Sequence, residues 1–365
     1  MITDNSKVLI IYHKEDNDGL FSMAIAYNYL QYELKLPADN IDIKGADYDL
    51  LNHISNDIID GEMTELDRII EKYDFVIMTD ISFNNFSYMK KLYKNLGNHF
   101  IWIDHHAPVI KQSVIEKVDG IQGLRDSSRS AILNMYRFFY DPFDNAYSNK
   151  DNKIELFRIL SAWDSFSFER EGYSKSYVMH INTGINNTYM LDAQRIINLV
   201  YGIIYPNVEN DNGGEYRERV NEDILVYGIG DDFVVNDEYY HLINEMYYEG
   251  EKYNTIQDAK NHDVVKTYGE AWKLQNGRTA IVIFMSCATN SLWFSDVQKE
   301  YENGIVFKHL KNGSWSVSIY NTSDDDTFNC GVYMKEHYHG GGHMGAAGCQ
   351  LSEEQFIEVL KKKIF

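Results

Sequence analysis

FIWIDHHAP, residues 100–108, is the stretch that decides how this chain is read. Phe100, Ile101, Trp102 and Ile103 form a short run of apolar, β-favouring residues, the pattern of a buried strand. Asp104, His105 and His106 follow without a break, and Pro108 stops the run. A carboxylate and two adjacent imidazoles at a strand end are either a polar turn or the donors of a site. The tripeptide alone does not choose between them.

The same texture recurs upstream. VLIIYH (8–13) reads as a strand, and GLFSMAIAYNYL (19–30) carries apolar residues at helical spacing. DFVIMTDIS (74–82) is a second buried strand, NNFSYMKKLYKNL (84–96) a helix closed by Gly97, and HFIWIDHH (99–106) the third strand. This alternation predicts an α/β fold with a doubly wound parallel sheet, whose ligands sit beyond the carboxyl ends of the strands. The polar residues fall there: His13, Asp16 and Asp18 follow the first strand, Asp80 closes the second, and Asp104–His106 close the third.

Further along, helices are expected at 129–140, with Ser127 or Ser128 as the cap, at 153–163, and around 196–204. Pro206 opens a polar break, NVENDNGG, and residues 238–260 read as one long polar helix. From about 263 the texture turns to strands at 279–285, 304–310 and 314–321, before a closing helix at 355–365. The expected organisation is a large domain over 1–235, a helical connector over 236–262, and a smaller α/β domain over 263–365.

Composition narrows the function classes. The chain has 365 residues, 44% of them hydrophobic, and a formal charge of −21. Such a charge argues against tight, nonspecific binding to long double-stranded nucleic acid, which needs many Lys and Arg contacts to phosphate. It leaves room for a short phosphorylated ligand held by cations. The apolar runs are too short to cross a bilayer, and the N-terminus lacks the pattern of a signal peptide. Three cysteines without a CxxC make neither a disulfide framework nor a thiolate zinc site. A cytoplasmic protein is expected, a monomer or a homodimer.

The chemistry-bearing residues come from four separated segments: His13, Asp16 and Asp18 in HKEDNDG, Asp80 in MTDIS, His105 in DHH, and Asp164 in SAWDSF. Carboxylate oxygen mixed with imidazole nitrogen suits Mn²⁺, with Mg²⁺, Fe²⁺ or Co²⁺ as the alternatives. Two such ions about 3.5–4 Å apart clamp the oxygens of an in-line phosphoryl displacement. Near the C-terminus, GGGHMGAAG (340–348) offers glycines that permit positive φ and close approach of backbone N–H groups to an anion.

The ordered set HxxDxDG, Asp80, Asp104–His105–His106, Asp164 and GGGH…AAG resembles the DHH superfamily of phosphoesterases. More narrowly it is similar to the two-domain members with a C-terminal GGGH/AAG domain, and the likeness spans positions 13 to 348. The resemblance implies a catalytic first domain and a substrate-binding second one. It implies that His13, Asp16 and Asp80 hold one metal and that Asp18, Asp80, His105 and Asp164 hold the other. His106 would face the scissile phosphate, Asp104 would orient a histidine, and Gly340, Gly341, Gly342 and His343 would hold the substrate's other end across the interdomain cleft. Glu15 remains a competitor for Asp16. Tyr320 stands where many relatives have a phosphate-binding arginine, and Arg125, Arg129 and Arg278 are its candidate replacements.

The expected activity is a two-metal phosphodiesterase that cleaves short oligonucleotides, or linear or cyclic dinucleotides, to 5′-mononucleotides. A single-strand exonuclease, a pyrophosphatase-like enzyme and an inactive nucleotide-binding module are the alternatives. Asp324–Asp326 read as an acidic loop, and GIGDD (228–232) lacks the third glycine of a dinucleotide fingerprint.

Overall fold

Six strands form in the first half of the chain: Val8–His13 (β1), Ile41–Ala46 (β2), Ile58–Asp60 (β3), Met63–Thr64 (β4), Phe75–Thr79 (β5) and Phe100–Ile103 (β6). The structure, a computed structural model, describes residues 2–56, 58–60, 63–148, 154–205, 237–286, 289, 291–323 and 327–365. NVENDNGG, GIGDD, Cys287 and Asp324–Asp326 lie outside these residues. Contacts divide the chain into two units, Met1–Lys252 and Tyr253–Phe365, and the division falls within the helix Asp237–Tyr268.

In the first unit β2, β1, β5 and β6 lie side by side in that order, and every pairing is parallel. Successive side chains leave a strand on opposite faces. Val8, Ile10, Phe75, Ile77, Ile101 and Ile103 therefore join one apolar cluster, and Leu9, Ile11, Val76, Met78, Phe100 and Trp102 join another. Helices cover both faces. Tyr48–Asn56, Glu65–Lys72 and Phe86–Leu96 add Leu51, Leu66 and Met89 to the second cluster. Asn17–Asn28, Ala131–Phe139 and Glu155–Asp164 add Phe21, Ile132 and Phe157 to the first. The sheet is doubly wound. Ile10 and Ile77 are fully enclosed, and truncating either to Ala costs about 2–5 kcal/mol.

Two helices meet backbone to backbone beside this core. A Cβ on Gly184 would lie 1.8 Å from the Met246 carbonyl oxygen, and one on Gly250 would lie 1.7 Å from that of His180. Glycine is what lets Lys175–Tyr189 and Asp237–Tyr268 approach so closely.

Two elements differ from the sequence reading. β2, IDIKGA, went unread because it is an edge strand whose Asp42, Ile43, Lys44 and Gly45 are not enclosed, so no continuous apolar run marks it. The helix expected from 129 begins at Ala131, after Ser130 rather than after Ser127 or Ser128.

The second unit has six strands: Glu270–Lys273 (β7), Thr279–Phe284 (β8), Asn303–His309 (β9), Trp315–Asn321 (β10), Gly341–Gly342 (β11) and Ala346–Leu351 (β12). They lie in the order β11-β12-β10-β9-β8-β7, antiparallel except for the β8–β9 pair. Helices Cys330–Tyr338 and Glu353–Lys362 cover one face with Tyr333, Met334 and Phe356. Trp293 and Phe294 cover the other. No helix among the described residues is long and apolar enough to cross a membrane.

Candidate metal centre

The sheet order makes β1, β5 and β6 neighbours, so the residues that follow their carboxyl ends must converge. His13 is the last residue of β1, Asp80 follows β5, and Asp104–His106 follow β6. Asp80 has φ of +57°, a left-handed conformation that asparagine and aspartate tolerate best among residues with a side chain. Its N–H donates to the Ile103 carbonyl at 3.0 Å, which ties the ends of β5 and β6 together.

The turn after β1 supplies two more carboxylates. Asp16 caps the helix Asn17–Asn28, its Oδ1 accepting from the Gly19 N–H at 3.1 Å. Gly19 is obligatory, since a Cβ there would lie 1.9 Å from the His13 carbonyl oxygen. Asp18 reaches a different helix. Its Oδ2 accepts the N–H of Ala131 and its Oδ1 that of Ile132, both at 2.8 Å. The start of a helix is a natural seat for a carboxylate, and here the capping oxygens come from a distant segment instead of a local serine.

Three groups of possible metal ligands result: His13 with Asp16 and Asp80, Asp18 with His105 and Asp164, and Asp80 with His105 and His106. His13 Nδ1 lies 2.9 Å from Asp16 Oδ2 and 3.5 Å from Asp80 Oδ2. His105 Nε2 lies 3.0 Å from Asp164 Oδ2, 3.4 Å from Asp80 Oδ1 and 3.5 Å from Asp18 Oδ2. Asp80 thus gives one oxygen to each side. Asp164 ends the helix Glu155–Asp164 and is the most open of the second group, its side chain 27% exposed.

Among the described residues Asp80 Oδ1 and Asp164 Oδ2 are enclosed without a hydrogen-bond partner, although His105 Nε2 is near both. A buried carboxylate oxygen without a partner is costly. Oxygens converging with imidazole nitrogens in contact range but out of hydrogen-bond geometry are what a cation between them requires, so the donor set fits a divalent metal.

The electrostatics agree. Burial alone would lower the His105 imidazole, but Asp164, Asp80 and Asp18 push it up to about 12. Burial likewise opposes the rise of His13 to about 11, which Asp16 and Asp80 cause. Burial raises the Asp18 carboxyl, and the charges of Asp80 and Asp164 raise it further. Asp80 goes the other way, because contacts with His105 and His13 outweigh its own desolvation. Four carboxylates crowd around two imidazoles, and the site calls for positive charge.

Asp104 stands behind the histidines. It is fully enclosed. Its Oδ1 accepts the backbone N–H groups of His105 at 2.7 Å and His106 at 3.0 Å, and faces His106 Nδ1 at 2.8 Å. Its Oδ2 accepts from Trp102 Nε1 at 3.2 Å. A carboxylate only accepts, so His106 Nδ1 carries its hydrogen and Nε2 is the atom turned away from Asp104. Burial would lower the His106 imidazole, but Asp104 holds it above its ordinary value.

The structure gathers His13, Asp16, Asp18, Asp80, His105, His106 and Asp164, with Asp104 supporting them. Glu15 is exposed and belongs to none of the ligand groups. The three arginines are engaged elsewhere: Arg125 donates to the carbonyls of Trp102, Asp119 and Ile121, Arg129 pairs with Asp144, and Arg278 donates to Asn303 and Ser323. Tyr320 is buried in the second unit, and its hydroxyl donates to the Thr289 carbonyl at 2.8 Å. It packs the core there and is not presented as a phosphate donor.

Within the second unit the glycine stretch is a hairpin. Gly341 and Gly342 pair with Gly348 and Ala347, and the His343 N–H donates to the Ala346 carbonyl at 2.7 Å. Of Gly340, Gly341 and Gly342, only Gly342 has positive φ. Gly340 is needed for packing, since a Cβ there would meet the Gly348 carbonyl at 2.3 Å. His343 is exposed at the turn.

Sequence reasoning missed Asn134, whose Nδ2 donates to the Asp104 carbonyl at 3.2 Å, and Tyr48, whose ring centroid lies 6.4 Å from that of His13. Asn134 is a lone amide on the apolar face of RSAILNMYRFFY, which was a legible signal. Tyr48 is one of 28 tyrosines and carried none.

Residues 7–155 match the model of the DHH family, N-terminal domain. The chain carries a DHH-family N-terminal domain. It is a phosphoesterase of that family, dependent on a divalent metal that its buried Asp/His groups are built to hold. No curated protein matches the sequence. Solved structures that resemble it include the DHH domain of a protein described as a member of a family of ribosomal proteins, at 15% identity over 98% of this chain and 85% of that one, with a TM-score of 0.50. The RecJ structure in complex with Mn²⁺ from Thermus thermophilus matches at 15% identity over 98% and 51%, TM-score 0.49. The pGpG-specific phosphodiesterase PggH from Vibrio cholerae matches at 11% identity over 97% and 96%, TM-score 0.45.

Proposed function

We propose that this DHH protein is a two-metal phosphodiesterase that hydrolyses short nucleotide substrates, oligonucleotides of a few units or linear or cyclic dinucleotides, to 5′-mononucleotides. The observation that carries the reading is Asp80. It places one carboxylate oxygen beside His13 and the other beside His105, with Asp16 completing one side and Asp18 and Asp164 the other. The carboxylates of Asp16, Asp18, Asp80 and Asp164 sum to a formal −4, which two divalent cations balance. Oxygen and imidazole donors without thiolate favour Mn²⁺.

Bound there, the ions supply Lewis acidity toward water and phosphoryl oxygen. The chain's own groups do the rest. Asp104 fixes the ring of His106 by accepting from Nδ1, and that ring, protonated at both nitrogens, would donate from Nε2 to a non-bridging phosphoryl oxygen as charge develops. Asp18, seated on the start of Ala131–Phe139, and Asp80, held in its left-handed conformation, fix the donor geometry before substrate arrives. In the second unit, the hairpin Gly340, Gly341, Gly342 and His343 is assigned to binding the substrate's other phosphate.

Two features favour a short substrate over a long strand: the charge of −21, and the engagement of Arg125, Arg129 and Arg278 with protein partners. Product analysis with Mn²⁺ tests the reading on pyrophosphate, pApA, a cyclic dinucleotide, a five-residue RNA and a long single-stranded DNA. Mononucleotide release from the short substrates, lost in His105→Ala, is the expected result. Fastest degradation of the long strand, with a steep salt dependence of binding, would make the protein an exonuclease instead. Phosphate from pyrophosphate alone would make it a pyrophosphatase.

A further inference from the structure

Tyr48 opens the helix Tyr48–Asn56, two residues past the end of β2. β2 runs parallel to β1 with Ala46 level with His13, so Tyr48 stands on the same rim of strand ends as the metal centre. Its ring centroid is 6.4 Å from that of His13, the planes inclined at 48°. The residue is 38% exposed. Its hydroxyl has no hydrogen-bond partner among the described residues, whereas Tyr320 in the second unit has its hydroxyl satisfied by Thr289.

A phenol is an O–H at neutral pH even in water. On the rim that carries the His13 group, and with no acceptor among the described residues, this hydroxyl has a hydrogen to give to the anionic oxygen of a bound phosphoryl group.

We infer that Tyr48 is a substrate-contacting residue of this DHH protein, donating its phenolic hydrogen to a phosphoryl oxygen of the bound ester. The inference rests on the phosphodiesterase reading for its substrate and names a recognition element in it that the family motifs do not include. A neutral donor suits this position. A lysine or arginine would be drawn onto Asp16 and Asp80 and would compete with the metals, while a phenol adds a hydrogen bond without a charge. Asp47, just before it, pairs with Lys14 at 2.7 Å, so that lysine is engaged with a carboxylate.

The test compares the full chain with Tyr48→Phe and Tyr48→Leu, each loaded with Mn²⁺. Three quantities are read: kcat and KM on pApA, and the affinity for inorganic phosphate by calorimetry. Metal content is checked separately. Tyr48→Phe is expected to bind Mn²⁺ like the parent, yet to lose about ten- to hundredfold in kcat/KM and in phosphate affinity, the effect of one hydrogen bond to a charged acceptor. Wild-type values in Tyr48→Phe overturn the inference. If Tyr48→Phe is unchanged and Tyr48→Leu alone is impaired, the ring acts by packing or stacking and the donor role is refuted. If the parent cleaves no phosphoester, the functional reading fails, and phosphate affinity still decides for or against Tyr48: equal affinity in parent and Tyr48→Phe refutes it.

Discussion

Asp104 holds His106 twice through a single atom, Oδ1 accepting the backbone N–H at 3.0 Å and facing the ring Nδ1 at 2.8 Å. Those two contacts turn a residue beyond the end of β6 into a fixed imidazole. Asp104→Asn keeps the shape and removes the charge, and it sets an amide N–H₂ or a weaker oxygen against donors. We expect a loss of about 10- to 100-fold in kcat, with Mn²⁺ stoichiometry unchanged, measured on the short nucleotide that the parent cleaves best.

Gly19 is the hinge between β1 and its helix, where a methyl group would strike the His13 carbonyl at 1.9 Å. Relief requires moving either the helix or His13. Gly19→Ala is expected to destabilise by about 1–3 kcal/mol in urea unfolding and to weaken Mn²⁺ binding in the same protein. Gly341→Ala, where a Cβ meets nothing within 4 Å, is expected to leave folding untouched and serves as the matched control.

These positions mark what was legible in the sequence. β1, β5 and β6 were readable because strands of a parallel sheet buried on both faces are continuous apolar runs, and their polar ends stand out against them. The edge strand β2 was not, because Asp42 and Lys44 interrupt it. The start of Ala131–Phe139 was misplaced by two or three residues for a tertiary reason. Its first N–H groups are satisfied by Asp18, 113 residues away, which no local capping pattern reports. Tyr48 was invisible for the same cause, since only the pairing of β2 with β1 brings it to His13.

Removal of the metal exposes the repulsion that burial and neighbouring carboxylates impose on Asp18. Adding Mn²⁺ to chelator-treated protein is expected to raise the melting temperature, with about 2.7 kcal/mol of stabilisation at a hundredfold excess over Kd. Differential scanning calorimetry reads this, and the absence of any rise would count against a metal bound by the folded state.

Away from the centre, Asp67 gives a clean pH signature. Lys91 and the Thr64 cap hold its carboxyl at about 2 in the folded protein. A carboxylate lowered by folding stabilises at pH values above its unfolded value of about 3.9 and loses that contribution as the pH falls through the folded value. The pair is partly exposed, so its worth is under about 1 kcal/mol. Asp67→Asn is expected to be slightly less stable than the parent at pH 7, and the difference is expected to close between pH 4 and pH 2 in chemical denaturation.

The most direct test of the central claim is a Mn²⁺ titration followed by electron paramagnetic resonance. Asp80 faces both ligand groups, so the parent should take up two Mn²⁺ per chain and develop the exchange-coupled spectrum of a bridged pair, and Asp80→Asn should lose the coupling. A single uncoupled Mn²⁺ per chain in the parent at saturation would contradict the two-metal account.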